Sequence, residues 1–138
     1  MAEENSVPFP QSYWVVPGKL LAGRYPGSQD PAEHEEKLRA LVRCGISRVI
    51  NLMDPNEVNY QGEPFVPYHE RMRQLAAPSG REVVMKRYSI RDASIPTREQ
   101  MRTILDDIDA SLSNGDVVYV HCWGGRGRTG TATAASSG

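Results

Sequence analysis

A chain of 138 residues, 39% hydrophobic and 24% charged, has the length and composition of one globular domain able to close a single core. Its formal net charge of −1 excludes a general electrostatic pull toward nucleic acid or anionic membrane, so any basic site has to be local. No window approaches the roughly 18 apolar residues of a membrane span, and the acidic start MAEENSVPFPQ lacks the features of a secretory signal. Two cysteines, Cys44 and Cys122, make no disulfide framework, and a reducing, cytoplasmic location is the default.

Residues 1–11 read as a flexible N-terminal arm and 12–138 as one folded unit without repeat or linker. Ser12–Val16 and Lys19–Gly23 flank Pro17-Gly18, the pattern of a strand, a tight turn and a second strand. Asp30-Pro31 opens a helix with proline at its first position. Leu38, Leu41 and Val42 form its apolar stripe, and Gly45 stops it. SRVINL (Ser47–Leu52) predicts a buried strand. The stretch from Met53 to Gly80 holds Pro55, Pro64, Pro67 and Pro78, and it leaves room for a short helix in YHERMRQLA with Met72 and Leu75 inward.

EVVMKRYSI (Glu82–Ile90) predicts another strand, followed by the loop RDASIP. Thr97 and Gln100 then make a capping-box pair. Met101, Ile104, Leu105, Ile108 and Leu112 fall on one helical face, which Asn114-Gly115 ends. DVVYVH is apolar on both faces, as a central strand is, and it delivers Cys122 to a loop. Strands alternating with helices imply an α/β fold with a central, mainly parallel sheet flanked by helices. Functional loops in such sheets lie beyond the carboxyl ends of the strands, where Cys122 falls.

The loop itself, in VVYVHCWGGRGRTGT, combines a thiol with Gly124, Gly125, Gly127 and Gly130. These glycines free backbone N–H groups to converge on an anion. A helix starting near Arg128 would add its positive end, and the Arg128 guanidinium matches two oxygens of a phosphate. The same three features favour a thiolate at Cys122. The product is a nucleophile at the bottom of an oxyanion cradle, suited to attack on phosphorus. No second Cys or His lies at zinc-ligand spacing from His121-Cys122, and Gly-x-x-x-x-Gly-Lys-Ser/Thr is absent. No metal or cofactor is expected.

HCWGGRGRT resembles the His-Cys-x5-Arg-Ser/Thr signature of the cysteine-dependent protein phosphatases, with Cys122, Gly125, Arg128 and Thr129 on motif positions. SYWVVPGKLLAGRYPG and GISRVINLMDP are similar to the opening strands of small bacterial dual-specificity phosphatases, so the resemblance covers roughly Ser12 to Thr131. It implies a cysteine phosphatase-like fold and a general acid on a loop about thirty residues before the cysteine. Asp92 stands there; its bland alternative, a helix-capping carboxylate, is weakened because Thr97 is the better cap.

The resemblance further implies that Cys122 attacks phosphorus while Asp92 protonates the leaving oxygen, and that water then hydrolyses the cysteinyl phosphate. Trp123, Gly124, Gly125, Arg126, Gly127 and Arg128 would bind the phosphate, Thr129 would donate its hydroxyl to the sulfur, and His121 would orient the loop. The expected substrate is a phosphorylated protein or peptide, at tyrosine and serine/threonine, with phosphoinositides left open. Phosphate, sulfate or a similar oxyanion would fit the loop. Relatives continue with further helices where this chain reads TATAASSG, so the C-terminal helices look truncated. The alternative reading is therefore a phosphate-binding module with weak or no catalysis. Among the remaining candidates, Cys44 reads as core, His34 and His69 as surface positions, and Asp54 as a turn residue with Pro55 or a lining of the cleft.

Overall fold

The computed structural model describes residues 7–59, 62–90 and 97–123. Strands β1 (Ser12–Val16) and β2 (Leu20–Gly23) pair antiparallel. Gly18, with φ of 74°, makes the turn between them, closed by the Lys19 N–H donating to Val16 O at 2.9 Å. A left-handed residue is needed there, and glycine adopts it without a Cβ penalty.

Helix α1 (Pro31–Arg43) begins as its sequence predicts: the Asp30 carboxylate accepts from the Ala32 N–H at 3.3 Å and Pro31 takes the first turn. Gly45, at φ of 87°, ends it just past Cys44. Then follow β3 (Arg48–Asn51), α2 (His69–Ala76) with a 3-10 turn over Ala77–Ser79, β4 (Val84–Arg87), α3 (Arg98–Ser113) and β5 (Val118–His121). The Thr97–Gln100 capping box forms with both of its hydrogen bonds, at 3.0 and 2.9 Å.

The five strands lie in the order β1-β2-β5-β3-β4, with β2, β5, β3 and β4 mutually parallel. β5 is therefore central, and its four residues are all buried. Side chains alternate strictly across the sheet. Leu21, Val49 and Tyr119 face α1 and α2, where Leu38, Leu41, Tyr68 and Met72 complete one core. Leu20, Ile50, Val118 and Val120 face α3, where Ile104 and Ile108 complete the other. The α/β class with a mainly parallel sheet and flanking helices is thus the observed one.

Three sequence expectations need correction. β4 is shorter than Glu82–Ile90, although its chain stays beside β3: Tyr88 N–H donates to Asn51 O at 2.9 Å and Ile90 N–H to Leu52 O at 3.1 Å. The apolar face of α3 buries Ile104 and Ile108, while Met101, Leu105 and Leu112 are only partly covered. The segment ending the expected N-terminal arm is docked, because Phe9 is buried edge-on against the Tyr119 ring at 6.1 Å.

Candidate active site

His121, the last residue of β5, and Cys122, which follows it, have opposite surroundings. Cys122 is 2% exposed and joins the aliphatic core under α3. His121, fully buried, points to the other face, where the Tyr119 ring stacks on it at 5.7 Å with planes 24° apart. Its Nδ1 lies 3.3 Å from the Cys122 carbonyl oxygen and its Nε2 2.5 Å from the Tyr68 hydroxyl. A carbonyl only accepts, so Nδ1 carries the proton and Nε2 accepts from the Tyr68 O–H. Burial first of all, against the nearby Arg87 charge and a side-chain bond from Asn51, pushes the Tyr68 phenol far above its ordinary range. Tyr68 therefore remains a donor, and His121 is held in one tautomer beneath the backbone of the cysteine.

The neighbouring strands fix the same end of β5. His121 pairs with Gly23 of β2 and Asn51 of β3 in the parallel ladder, and its carbonyl accepts from the Leu52 N–H at 2.9 Å. A side chain at position 23 has no room, since a Cβ there would lie 2.6 Å from Gln11 O and 2.7 Å from the Tyr119 hydroxyl. One residue on, the Tyr25 N–H donates to Trp123 O at 3.1 Å. The Tyr25 hydroxyl donates to Val66 O, and its ring packs on Phe65 at 4.7 Å. Phe65 in turn meets Trp123 at 5.6 Å. Trp123 thus packs sideways against an aromatic wall.

Behind the His121–Tyr68 pair, a cleft of about 190 Å³ opens between Asn51, Met85 and the loop after β3. Arg87 lines it and donates to Met53 O at 2.6 Å. Asp54 also lines it while receiving the Asn56 N–H at 2.9 Å, so it fills both roles read for it in sequence. Cys44 packs against the α1–α2 core, and burial, opposed by Arg43, raises its thiol pKa.

The surface positions expected for His34 and His69 are corrected. Both rings are half-buried, because each satisfies backbone at the edge of a loop: His34 Nδ1 accepts from the Ser28 N–H, and His69 Nε2 donates to Val83 O, each at 2.9 Å. Asp92, Gly124, Gly125, Arg126, Gly127, Arg128 and Thr129, the other site residues read from the sequence, lie outside the described residues. The structure adds Tyr68, Asn51 and Tyr25 to the surroundings of the cysteine. No local pattern marks Tyr68, which stands 53 residues from its partner. Among the described residues, no group of three or more His, Cys, Asp or Glu could hold a metal, and no helix is long and apolar enough to cross a membrane.

A parallel sheet that delivers a buried cysteine at the carboxyl end of its central strand, backed by an oriented histidine, has the frame of the cysteine-dependent dual-specificity phosphatase superfamily. Residues 23–137 match the family described as "Polymorphic toxin system, DSP-PTPase phosphatase" (Tc-R-P), and the chain belongs to that family.

The structure is similar to that of Tk-PTP in its active form, with 25% identity, a TM-score of 0.66, and 93% of this chain and 72% of that one covered. It is similar in fold to PTPMT1 in complex with PI(5)P, at 20% identity and TM-score 0.65, covering 91% and 70%. It is likewise similar in fold to kinase associated phosphatase, at 19% and 0.64, covering 86% and 64%. A 49-residue stretch is 51% identical to the uncharacterized protein MJECL20 of Methanocaldococcus jannaschii, covering 36% of this chain and 33% of that protein. The chain thus spans about a third of the length of that curated relative.

Proposed function

We propose that the chain is a cysteine-dependent phosphatase, hydrolysing phosphate monoesters of protein tyrosine and serine/threonine through a cysteinyl-phosphate intermediate. The observation that carries this reading is the place of Cys122. It directly follows the central strand of a sheet in a chain that matches a phosphatase family over residues 23–137. The Cys122 thiolate forms an S–P bond as the P–O bond to the substrate breaks, and Asp92 gives its proton to the departing oxygen. Water then attacks phosphorus, its proton passes to Asp92, and the S–P bond breaks to return the thiolate. Arg128 and the N–H groups of Trp123 to Arg128 hold the equatorial oxygens through both steps, and Thr129 donates to the returning sulfur.

His121 acts through geometry. Its proton faces the Cys122 carbonyl, and Tyr68 locks the ring. No metal takes part in the proposed steps. Two free thiols, Cys44 and Cys122, suit a reducing compartment, and we place the activity in the cytoplasm. The family description points to action as the phosphatase unit of a polymorphic toxin system.

The test is hydrolysis of an aryl phosphate across pH by the wild type, Cys122→Ser and Asp92→Asn. The serine variant is expected to lose about three orders of magnitude or more. The asparagine variant is expected to lose about a hundredfold, together with the limb of the profile that needs a protonated acid. Turnover surviving Cys122→Ser sinks the mechanism. A folded wild type that binds phosphate without turnover supports a binding module instead.

A further inference from the structure

The cleft behind the His121–Tyr68 pair takes no part in the proposed catalytic steps. Asn51 and Arg87 stand side by side at its floor as partners in the β3–β4 ladder, with Met85 two residues back on the same face of the sheet. The loop after β3 covers them, and Tyr68 and His69 at the start of α2 close another side. Tyr25, Met53, Phe65 and Val66 keep the remaining wall apolar. Thioethers and aromatic rings drawn from several elements make a pocket that adapts to an apolar body. Its volume of about 190 Å³ is on the scale of a single amino acid, below the roughly 300 Å³ or more of sites for drug-sized ligands.

The polar groups of this wall carry both signs. The Met53 carbonyl tethers Arg87 through Nη1 at 2.6 Å, which leaves Nε and Nη2 without a bond among the described residues. Other described arginines also lack an ion pair; Arg87 differs in lining an aromatic cleft. Asp54 Oδ1 accepts the Asn56 N–H at 2.9 Å, and Oδ2 has no bond among the described residues. Glu57 is engaged in the turn itself, where its Oε1 accepts the Asp54 N–H at 3.2 Å. His69 donates from Nε2 to Val83 O, which makes its Nδ1 an acceptor. The cleft therefore offers donors at Arg87 and acceptors at Asp54 and His69, around an apolar interior.

We infer that this cleft binds a free α-amino acid with a large apolar side chain, and that the occupant acts on the cysteine through Tyr68. The carboxylate pairs with the fork of Arg87 through two parallel hydrogen bonds. The ammonium meets Asp54 and His69, and the side chain lies among Phe65, Tyr68 and Met85. A ligand with one charge alone would leave the opposite group of the wall unmet and set a like charge beside its neighbour. The Tyr68 ring lines the cleft while its hydroxyl donates to His121 Nε2. An occupant packed on that ring restrains the pair that faces the Cys122 carbonyl.

The test titrates L-phenylalanine, 3-phenylpropionate and 2-phenylethylamine into the full chain by calorimetry, as wild type, Arg87→Gln and Asp54→Asn. L-Phenylalanine is expected to bind with a Kd on the order of 0.1 mM, and each analogue about tenfold more weakly. Arg87→Gln should weaken L-phenylalanine and 3-phenylpropionate about tenfold and spare 2-phenylethylamine. Asp54→Asn should weaken L-phenylalanine and 2-phenylethylamine and spare 3-phenylpropionate. Thermal melting confirms that both variants are folded. No binding at about 10 mM overturns the inference. So does either analogue matching L-phenylalanine, or a variant that weakens all three ligands alike.

The coupling is read separately, from the ring nitrogen chemical shifts of His121. Saturation with L-phenylalanine should move them in the wild type and leave them in place in Tyr68→Phe; unmoved shifts in the wild type overturn the coupling. The effect on turnover rests on the phosphatase reading above: kcat for an aryl phosphate should rise severalfold at saturation, with KM little changed. An active enzyme whose kcat ignores L-phenylalanine also overturns the coupling. A wild type that turns over nothing fails the phosphatase reading, and the calorimetry and the shifts still decide this one.

Discussion

Between the sheet and α3, the interior is aliphatic: Leu20, Ile50, Val118 and Val120 meet Ile104 and Ile108. Between the same sheet and the α1–α2 layer, Tyr68 and Tyr119 are buried with His121 beside Leu21, Leu38 and Met72. Each buried phenol on that side finds an acceptor, Tyr68 at His121 Nε2 and Tyr119 at Arg24 O, both at 2.5 Å. Aliphatic packing is non-directional and tolerates small shifts at modest cost, whereas a buried hydroxyl fixes the position of its partner. The difference assigns the two faces different work. Both faces hold β5 by burial, and the tyrosine face in addition sets the orientation of the residues at its end.

The bluntest way to break this division is on the aliphatic side. Ile108→Ala removes a fully buried side chain from the packing between α3 and β5. It is expected to cost about 3 kcal/mol of unfolding free energy, from lost transfer energy and the cavity left behind. Denaturant titration reads this directly. A loss under about 1 kcal/mol would mean that the α3 layer is not what holds the central strand.

The α3 face carries one polar exception, which sharpens the comparison. Arg48 Nε and Nη2 donate to the two oxygens of Asp107 at 2.7 and 2.8 Å, the Tyr88 hydroxyl adds a bond at 2.5 Å, and Ser111 another at 3.1 Å. Burial alone would raise the Asp107 pKa, but the bonds from Arg48 and Tyr88 outweigh it and hold the carboxyl below its usual range. The Tyr88 phenol is pushed up to about 12, by burial and then by the same carboxylate.

A carboxyl with a lowered native pKa contributes stability that is complete above its unfolded value and is lost as pH falls through the native one. Asp107→Asn should therefore cost about 2 kcal/mol near neutrality, and the deficit against wild type should shrink below about pH 4. Melting curves of the two proteins down the acid range measure it. A deficit constant across pH would assign the loss to packing.

What was legible in the sequence follows the distance over which each feature is built. Asp30-Pro31, Gly18 and the Thr97–Gln100 box act within four residues, and each sits where its local chemistry puts it. Cys122 was legible for the same reason, since a strand of apolar residues and its terminal thiol are contiguous. The polar contacts that organise both faces are not local. Arg48 and Asp107 are 59 residues apart, Tyr68 and His121 are 53 apart, and nothing in either short segment names its partner. The 3.6-residue period of α3 placed its apolar stripe correctly at Ile104 and Ile108. It gave no reason to turn Asp107 inward, because a charge on that face is favourable only once Arg48 is known to meet it.

The smallest stability effect falls on the tyrosine side, and there it separates orientation from packing most cleanly. Tyr68→Phe keeps the ring against Met72 and the α1–α2 core while deleting the hydroxyl that donates to His121 Nε2. About 1 kcal/mol of stability is expected to go, the net contribution of a buried hydrogen bond. The ring nitrogen then has two ways to recover, rotating or moving its proton from Nδ1 to Nε2. Either one withdraws the donor from the Cys122 carbonyl.

If Tyr68 acts on the cysteine through His121, the thiolate limb of the pH–rate profile should shift and kcat should fall severalfold more than KM changes. Imidazole nitrogen chemical shifts should report the altered tautomer. Restoring stability by a remote substitution would not restore the rate. A variant with the small stability loss but an unmoved pH profile would make Tyr68 an ordinary core residue, and the two faces of the sheet would then differ in composition without differing in task.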